Sequence, residues 1–144
     1  MSNFILLQTE TALDAFKNYH LGTIDGKEAK TFKTFYQQVE KVLNFPDYFG
    51  HNLDSFDELI NDFEWIENPD IALHIKNFDA FLSDEKKQEK RLDLFNLLDA
   101  SAEDWKWMED EESEFDKKNF VILIEFSNNA QAFFEEEGIG YEIK

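Results

Sequence analysis

Four carboxylates, Asp54, Asp57, Glu58 and Asp62, are spaced for joint action within a chain of 144 residues. Laid on a helix at about 100° per residue, they share one arc, while Leu53, Phe56, Leu59, Ile60 and Phe63 share the opposite arc. One face of such a helix anchors in a core. The other presents anionic oxygens over about two turns, at a rise of roughly 1.5 Å per residue. Like charges at i, i+3 and i, i+4 cost ~0.2–0.5 kcal/mol per pair. Carboxylates in this pattern suit a cationic surface; paired in a cleft, they could also serve a glycosidase or a metal hydrolase. The bland alternative is a solvated helix face whose first acid sits well on the helix dipole.

The remaining chemistry of the chain is sparse. There is no cysteine, which excludes disulfides, thiolate zinc sites and thiol catalysis. The three histidines, His20, His51 and His74, lack metal-ligand spacing. His51 and Asp54 stand at i, i+3, but a histidine beside a helix start reads as exposed, His74 in an apolar run as a core histidine, and His20 as a loop residue. Glu109 to Asp116 lacks the alternating acids and glycine of a calcium loop and reads as a solvated charged loop. With five glycines in all there is no phosphate-cradling loop, and no nucleophile elbow is present. No enzyme activity, metal or cofactor is expected.

Charge narrows the partners. Acids number 32 against 14 Lys and Arg, a formal net charge of −18. Such a chain repels nucleic acid and anionic membranes and favours basic partners. The acids are also concentrated: between Lys41 and Lys76 there is no Lys or Arg, and the same stretch holds eight acids. The composition is 42% hydrophobic with sixteen Phe, ample for a core and unlike a disordered acidic tail. The N-terminal apolar run is too short for a signal or spanning segment, so a soluble, cytoplasmic protein is expected.

The elements that must position the acids follow from periodicity. Phe4–Gln8 reads as a short strand, Thr9 as a cap, and Ala12, Leu13, Phe16 and Tyr19 as helically spaced. His20–Gly26 reads as a strand ending in an Asp-Gly turn, and Thr31 opens a helix carrying Phe32, Phe35, Val39, Val42 and Leu43. Pro46 and Gly50 bracket a tight connection, and Asn52 caps the acidic helix, which should reach about Phe63. A buried strand is expected at 71–75, and a long helix from Ser83-Asp84-Glu85 to Met108 with one continuous apolar stripe, the alternative being a break near Ser101, where Ser101-Ala102-Glu103-Asp104 offers a second cap. Trp105 lies on the apolar stripe of that helix and Trp107 off it. The all-apolar run Phe120–Phe126 reads as a central strand, and Ile139–Ile143 as a weak edge strand. This is an α/β order: a small parallel sheet of three core strands, with edge strands drawn from the termini, flanked by helices.

The segment Phe45-Pro46-Asp47-Tyr48-Phe49-Gly50-His51-Asn52-Leu53-Asp54, followed by Phe63 and Trp65, resembles the signature of the barstar family. These are intracellular inhibitors of secreted microbial ribonucleases such as barnase. The resemblance covers roughly residues 20–127 of what reads as one barstar-like domain, 1–144, with N- and C-terminal extensions. It implies that the loop and acidic helix plug a basic ribonuclease's active site one to one, a carboxylate standing in for substrate phosphate. The contact set it implies, with the acidic face, is Tyr48, Phe49, Asn52, Asp54, Asp57, Glu58, Asp62 and Phe63, although core packing is the preferred reading of Phe49. The chain departs from the pattern in places. Glu58 is one methylene longer than the Asp of the founding member, Asp57 replaces a Trp, and Phe63 stands where that member has Trp. Asp99 and Glu103 are candidates for a further acid on the later helix.

Two other classes fit the acids: an interaction or immunity module for a basic protein other than a ribonuclease, and a nucleic-acid mimic. An inhibitor would depend on Tyr48, Asp54 and Glu58. A mimic would spread its dependence along residues 84–116 as well.

Overall fold

The computed structural model describes residues 2–108 and 117–144. Of the charged loop expected over 109–118, residues 109–116 lie outside the described residues. Five strands, β1 (Phe4–Leu7), β2 (His20–Asp25), β3 (Asp70–Lys76), β4 (Asn119–Glu125) and β5 (Glu142–Ile143), form one parallel sheet in the order β2-β3-β4-β1-β5. The expected three-strand core is present as β2-β3-β4. Both chain ends add to it, with β1 pairing along β4 and β5 along β1. The sheet is therefore larger than the core reading required.

Strand alternation divides the side chains between two faces. Phe4, Leu6, Ile24, Leu73, Ile75, Ile122 and Ile124 point into the main core. There they meet four helices, α1 (Phe32–Val42), α2 (Leu53–Ile60), α3 (Glu89–Trp107) and α4 (Asn128–Glu137). Ile5, Leu7, Ala72, Val121 and Leu123 point the other way and meet Phe16 from a 3-10 helix, Glu10–Phe16. Handedness explains the asymmetry. The connections β2→β3, β3→β4 and β4→β5 all progress across the sheet in one direction, so right-handed crossovers place them on one face. Only β1→β2 runs back, and it falls on the other.

Local chemistry sets the boundaries. Thr31 and Thr34 form a reciprocal capping box at α1. Ser127 caps α4 by accepting from the Ala130 N–H, and Gly138, at φ 68°, ends that helix in the left-handed region. Gly26 follows β2 where a Cβ would stand 2.2 Å from the Asn77 carbonyl oxygen, so no side chain fits at that turn. The start expected for the long helix is corrected. The helix begins at Glu89, because residues 79–85 are taken up in turns tied to Ala29 and Lys30. It does not break at Ser101, whose hydroxyl is engaged in a tertiary contact instead. The expected elements include no helix in the C-terminal tail; the apolar residues of α4, Ala130, Ala132, Phe133 and Phe134, lie within five positions and span too little chain for a clear period. His20 starts β2, in keeping with the strand expected over His20–Gly26 and against its reading as a loop residue. Among the described residues no helix is long and apolar enough to cross a membrane.

Candidate functional site

The acidic helix is real but shorter than expected. It spans Leu53–Ile60, and Asn52 caps it by accepting from the Ser55 N–H at 2.8 Å. Phe56, Leu59 and Ile60 are buried, while Asp54, Asp57 and Glu58 are exposed on the opposite face. No ion pair to these three carboxylates is present among the described residues. Asp57 takes a hydrogen bond from Asn61 Nδ2 at 2.9 Å, which steadies it at the helix end. Asp62 lies beyond the helix, half-buried, accepting from the Glu64 N–H, so it is not the fourth member of a helical row.

The preceding loop is pinned from both sides. Phe45 and Phe49 turn inward and meet edge to face, ring centres 4.9 Å apart, and Phe49 also packs against Tyr36. Burial, with Glu85 nearby, pushes the Tyr36 phenol up to about 12, so it stays neutral beneath the loop. Outward lie three ties: Gly50 N–H to Ser55 Oγ at 2.8 Å, Asn52 Nδ2 to the Gly50 carbonyl at 3.1 Å, and His51 Nε2 to Glu40 Oε2 at 2.9 Å. At Gly50 a Cβ would press on the Asn52 amide at 3.1 Å. Between these anchors Tyr48 projects into solvent, 70% exposed. A large aromatic held out on a hydrogen-bonded loop, beside three carboxylates with no ion pair among the described residues, has the composition of an interface anchor.

The far end of α2 is clamped by α3. Trp105 Nε1 donates to the Ile60 carbonyl at 2.9 Å, and the Ser101 hydroxyl donates to the same oxygen at 3.2 Å. Trp65 Nε1 does the same for α1, donating to Leu43 O at 2.9 Å. These two indoles satisfy carbonyls that a helix end leaves unpaired. Phe63 follows at φ 53°, in the left-handed region, with its ring between Trp65, Trp105 and Phe120. Burial of the whole ring compensates for that backbone position.

The expected contact residues therefore separate. Tyr48, Asp54, Asp57 and Glu58 come together on one surface, with Asp62 at its margin. Phe63 is 0% exposed and Phe49 6%, so neither ring can reach a partner. Asn52 is exposed but its side chain is spent on capping and on Gly50. On α3, Asp99 accepts from Asn3 Nδ2 at 2.8 Å and Glu103 from Trp107 Nε1 at 3.2 Å. Trp105 is buried and Trp107 is 78% exposed, as their positions on the stripe indicated. Asn61, Ser101 and Trp105 position the site without any spacing signal that would have revealed it. Among the described residues no group of three or more His, Asp or Glu could hold a metal.

Comparison with known proteins bears on this arrangement. The family model described as Barstar (barnase inhibitor) matches residues 19–125. A Bacillus subtilis (strain 168) protein named "Putative ribonuclease inhibitor YrdF" is 32% identical over 56 residues, 39% of this chain and 58% of that protein. The matched segment is thus a little over half the length of that relative. Two structures of the Aeropyrum pernix ORC2 protein, an ADP form and ADPNP-ADP complexes, align with TM-scores of 0.56 and 0.57. They cover 98% and 99% of this chain but 41% of their own, at 17% and 18% identity. At that identity the likeness is one of fold alone.

Proposed function

The chain belongs to the barstar family, and from that premise we propose that it inhibits a basic ribonuclease by seating Tyr48, Asp54, Asp57 and Glu58 in the enzyme's cationic active-site cleft. The carboxylates take the place of substrate phosphates among Arg, Lys and His side chains, and the Tyr48 ring packs at the edge of the cleft. The inhibitor acts inside the cell, one to one, protecting against a ribonuclease made by the same cell or by a neighbour. The name of the Bacillus subtilis relative supports the same role.

The observation that carries the reading is the pairing of buried, hydrogen-bonded support with exposed charge. The side of α2 opposite the acids is buried and its last carbonyl is held by Trp105, so the three carboxylates need little further ordering when they bind. A net charge of −18 steers such a surface toward a basic partner, which makes association fast and salt-sensitive.

The test is affinity capture from the source organism's extract and medium, wild type beside the Asp54→Ala/Glu58→Ala variant, with ribonuclease assay and mass spectrometry of the eluates. A basic ribonuclease held by wild type and lost by the variant is the expected result, each single change acting chiefly through faster dissociation. A partner that is not a nuclease would favour the interaction-module reading. Equal capture by wild type and variant would overturn the site.

A further inference from the structure

The second face of the sheet carries a cavity that the inhibitor role does not use. Neighbouring strands β1 and β4 send their onward connections to opposite faces: β1 into the 3-10 helix, β4 into α4, whose Phe134 packs on Phe4. Open parallel sheets bind ligands at such a reversal, in the crevice beyond the strands' carboxyl ends. A seven-residue 3-10 helix cannot roof this face, and a cavity of about 800 Å³ remains at that end of the sheet. That volume lies within the usual range of ligand sites, ~300–1,000 Å³. It is on the face opposite α2.

The cavity floor is polar where the rest of the face is apolar. Thr23 and His74 are register partners there, as are Leu7 and Glu125. All of them, with Lys76, lie on the same side of the pleat. His74 is 7% exposed; its Nδ1 meets the Thr23 hydroxyl at 3.3 Å, and no protein partner is found for Nε2 among the described residues. Glu10 and Asp14 line the wall from the 3-10 helix, so three carboxylates face one ammonium. A phosphate ligand is disfavoured by that balance, by the absence of a glycine-rich loop and by the overall charge. The Thr23 hydroxyl is already bonded to His74, and Glu125 accepts from the Asn77 N–H at 3.1 Å, but a purely apolar ligand would leave the Glu10 and Asp14 carboxylates and His74 Nε2 uncompensated.

We propose that this cavity at the β1/β4 reversal binds a small organic cation bearing ammonium or guanidinium groups, donating to Glu10, Asp14 and Glu125 and to the His74 imidazole. Charge-assisted hydrogen bonds to the carboxylates supply the attraction, and Leu7 and Leu13 pack on the connecting methylenes.

Agmatine, which carries one group of each kind, is the probe. The full chain is titrated by calorimetry and by NMR at about 0.15 M salt, where screening over ~8 Å suppresses diffuse attraction to the acidic surface. Saturable one-to-one binding is expected, with shift changes centred on the rings and methyls of His74, Thr23 and Leu7. The Glu10→Gln/Asp14→Asn variant changes only exposed side chains and should bind about tenfold more weakly or worse. Thr23→Trp, which fills the cavity from an exposed position, should abolish binding. Asp54→Ala/Glu58→Ala should leave it unchanged. Binding by AMP in place of agmatine would overturn the ligand class. No saturable agmatine binding, or equal affinity in the cavity variants, would overturn the site, and neither result bears on ribonuclease inhibition.

Discussion

On one face of the sheet Phe4, Ile24, Leu73 and Ile122 are sealed beneath four helices, and on the other Ile5, Leu7, Ala72 and Leu123 are covered by one short 3-10 helix. The thick face is rich in aromatic contact: Phe35, Phe56 and Phe81 meet edge to face, and Phe95 touches Phe4, Phe78, Phe133 and Phe134. The difference assigns two tasks. The thick face carries most of the apolar burial and so holds the acidic helix in a fixed place. The thin face leaves polar groups open to solvent. Substitution can break or sharpen this contrast. Phe63→Ala removes a fully buried ring and strands a non-glycine residue in the left-handed region, so a loss of ~3–5 kcal/mol is expected. Leu13→Ala on the thin face, where the side chain is only half-buried, should cost ~1 kcal/mol. Urea denaturation of both variants measures the gap, and equal losses would erase the distinction between the faces.

The contrast recurs within one loop. Phe49 and Tyr48 are adjacent, yet one ring is buried and the other is 70% exposed. Tyr48→Ala should leave stability within about 0.5 kcal/mol of wild type. It should weaken capture of the ribonuclease by ~2 kcal/mol or more, the scale of an interface hot spot. Phe49→Ala should do the reverse in kind, lowering stability first and binding only through a loosened loop. Thermal melts and dissociation rates on the same two proteins separate the effects. A Tyr48→Ala protein that binds normally would remove the aromatic from the contact set.

How legible this was depends on the signal each feature leaves. The helix at Phe32–Val42 is legible from its apolar period and Thr31 cap, β3 and β4 from short apolar runs, and β2 from the Asp25-Gly26 turn that ends it. The acidic face was readable from spacing, but its end was not. Phe63 continues the apolar period of α2, yet it lies past the helix end at φ 53°, with its ring against Trp105 and Phe120. Ser83-Asp84-Glu85 looks like a cap, yet α3 starts at Glu89. Glu85 in fact receives the Phe32 N–H at 2.7 Å, serving the neighbouring helix instead. The cavity left no local signal, since it is created by strand order. Thr23, His74 and Glu125 become neighbours only when β2, β3, β4 and β1 are laid side by side.

The clamp on α2 tests whether rigidity matters to the site. Trp105→Phe keeps most of the buried ring but deletes the donor to the Ile60 carbonyl, which retains the Ser101 hydroxyl. A loss of ~1 kcal/mol in stability is expected. If the carboxylates depend on a fixed helix end, ribonuclease dissociation should also quicken, although Trp105 itself is buried away from the partner. Binding unchanged at lower stability would show that the thick face supports the fold without tuning the acidic surface.

The smallest effect belongs to the thin face and is read through pH. Burial holds the His74 imidazole below its ordinary value of 6.5; Glu125 opposes that shift and Lys76 reinforces it. Glu10 and Asp14 are the other charged groups of the cavity around it, and Thr23, Gln8, Thr9 and Thr11 its uncharged polar groups. A depressed native value means that the unfolded chain takes up a proton that the folded chain refuses. The resulting stability is complete above about pH 6.5 and is lost as pH falls toward the native value, after which it levels off. Asp25, lowered chiefly by the Asn77 amide, contributes in the same direction but only below the ordinary carboxylate range. His74→Gln removes the imidazole titration and keeps a polar side chain. The difference in urea midpoint between wild type and His74→Gln should therefore be constant from about pH 8 to about pH 7 and shift against wild type by about pH 5.5. The −18 protein's relief of self-repulsion on acidification is common to both chains and cancels in the difference. A midpoint difference flat across the whole window would mean that water on the open face solvates His74⁺ as well as bulk solvent does, and the thin face would then be no distinct environment at all.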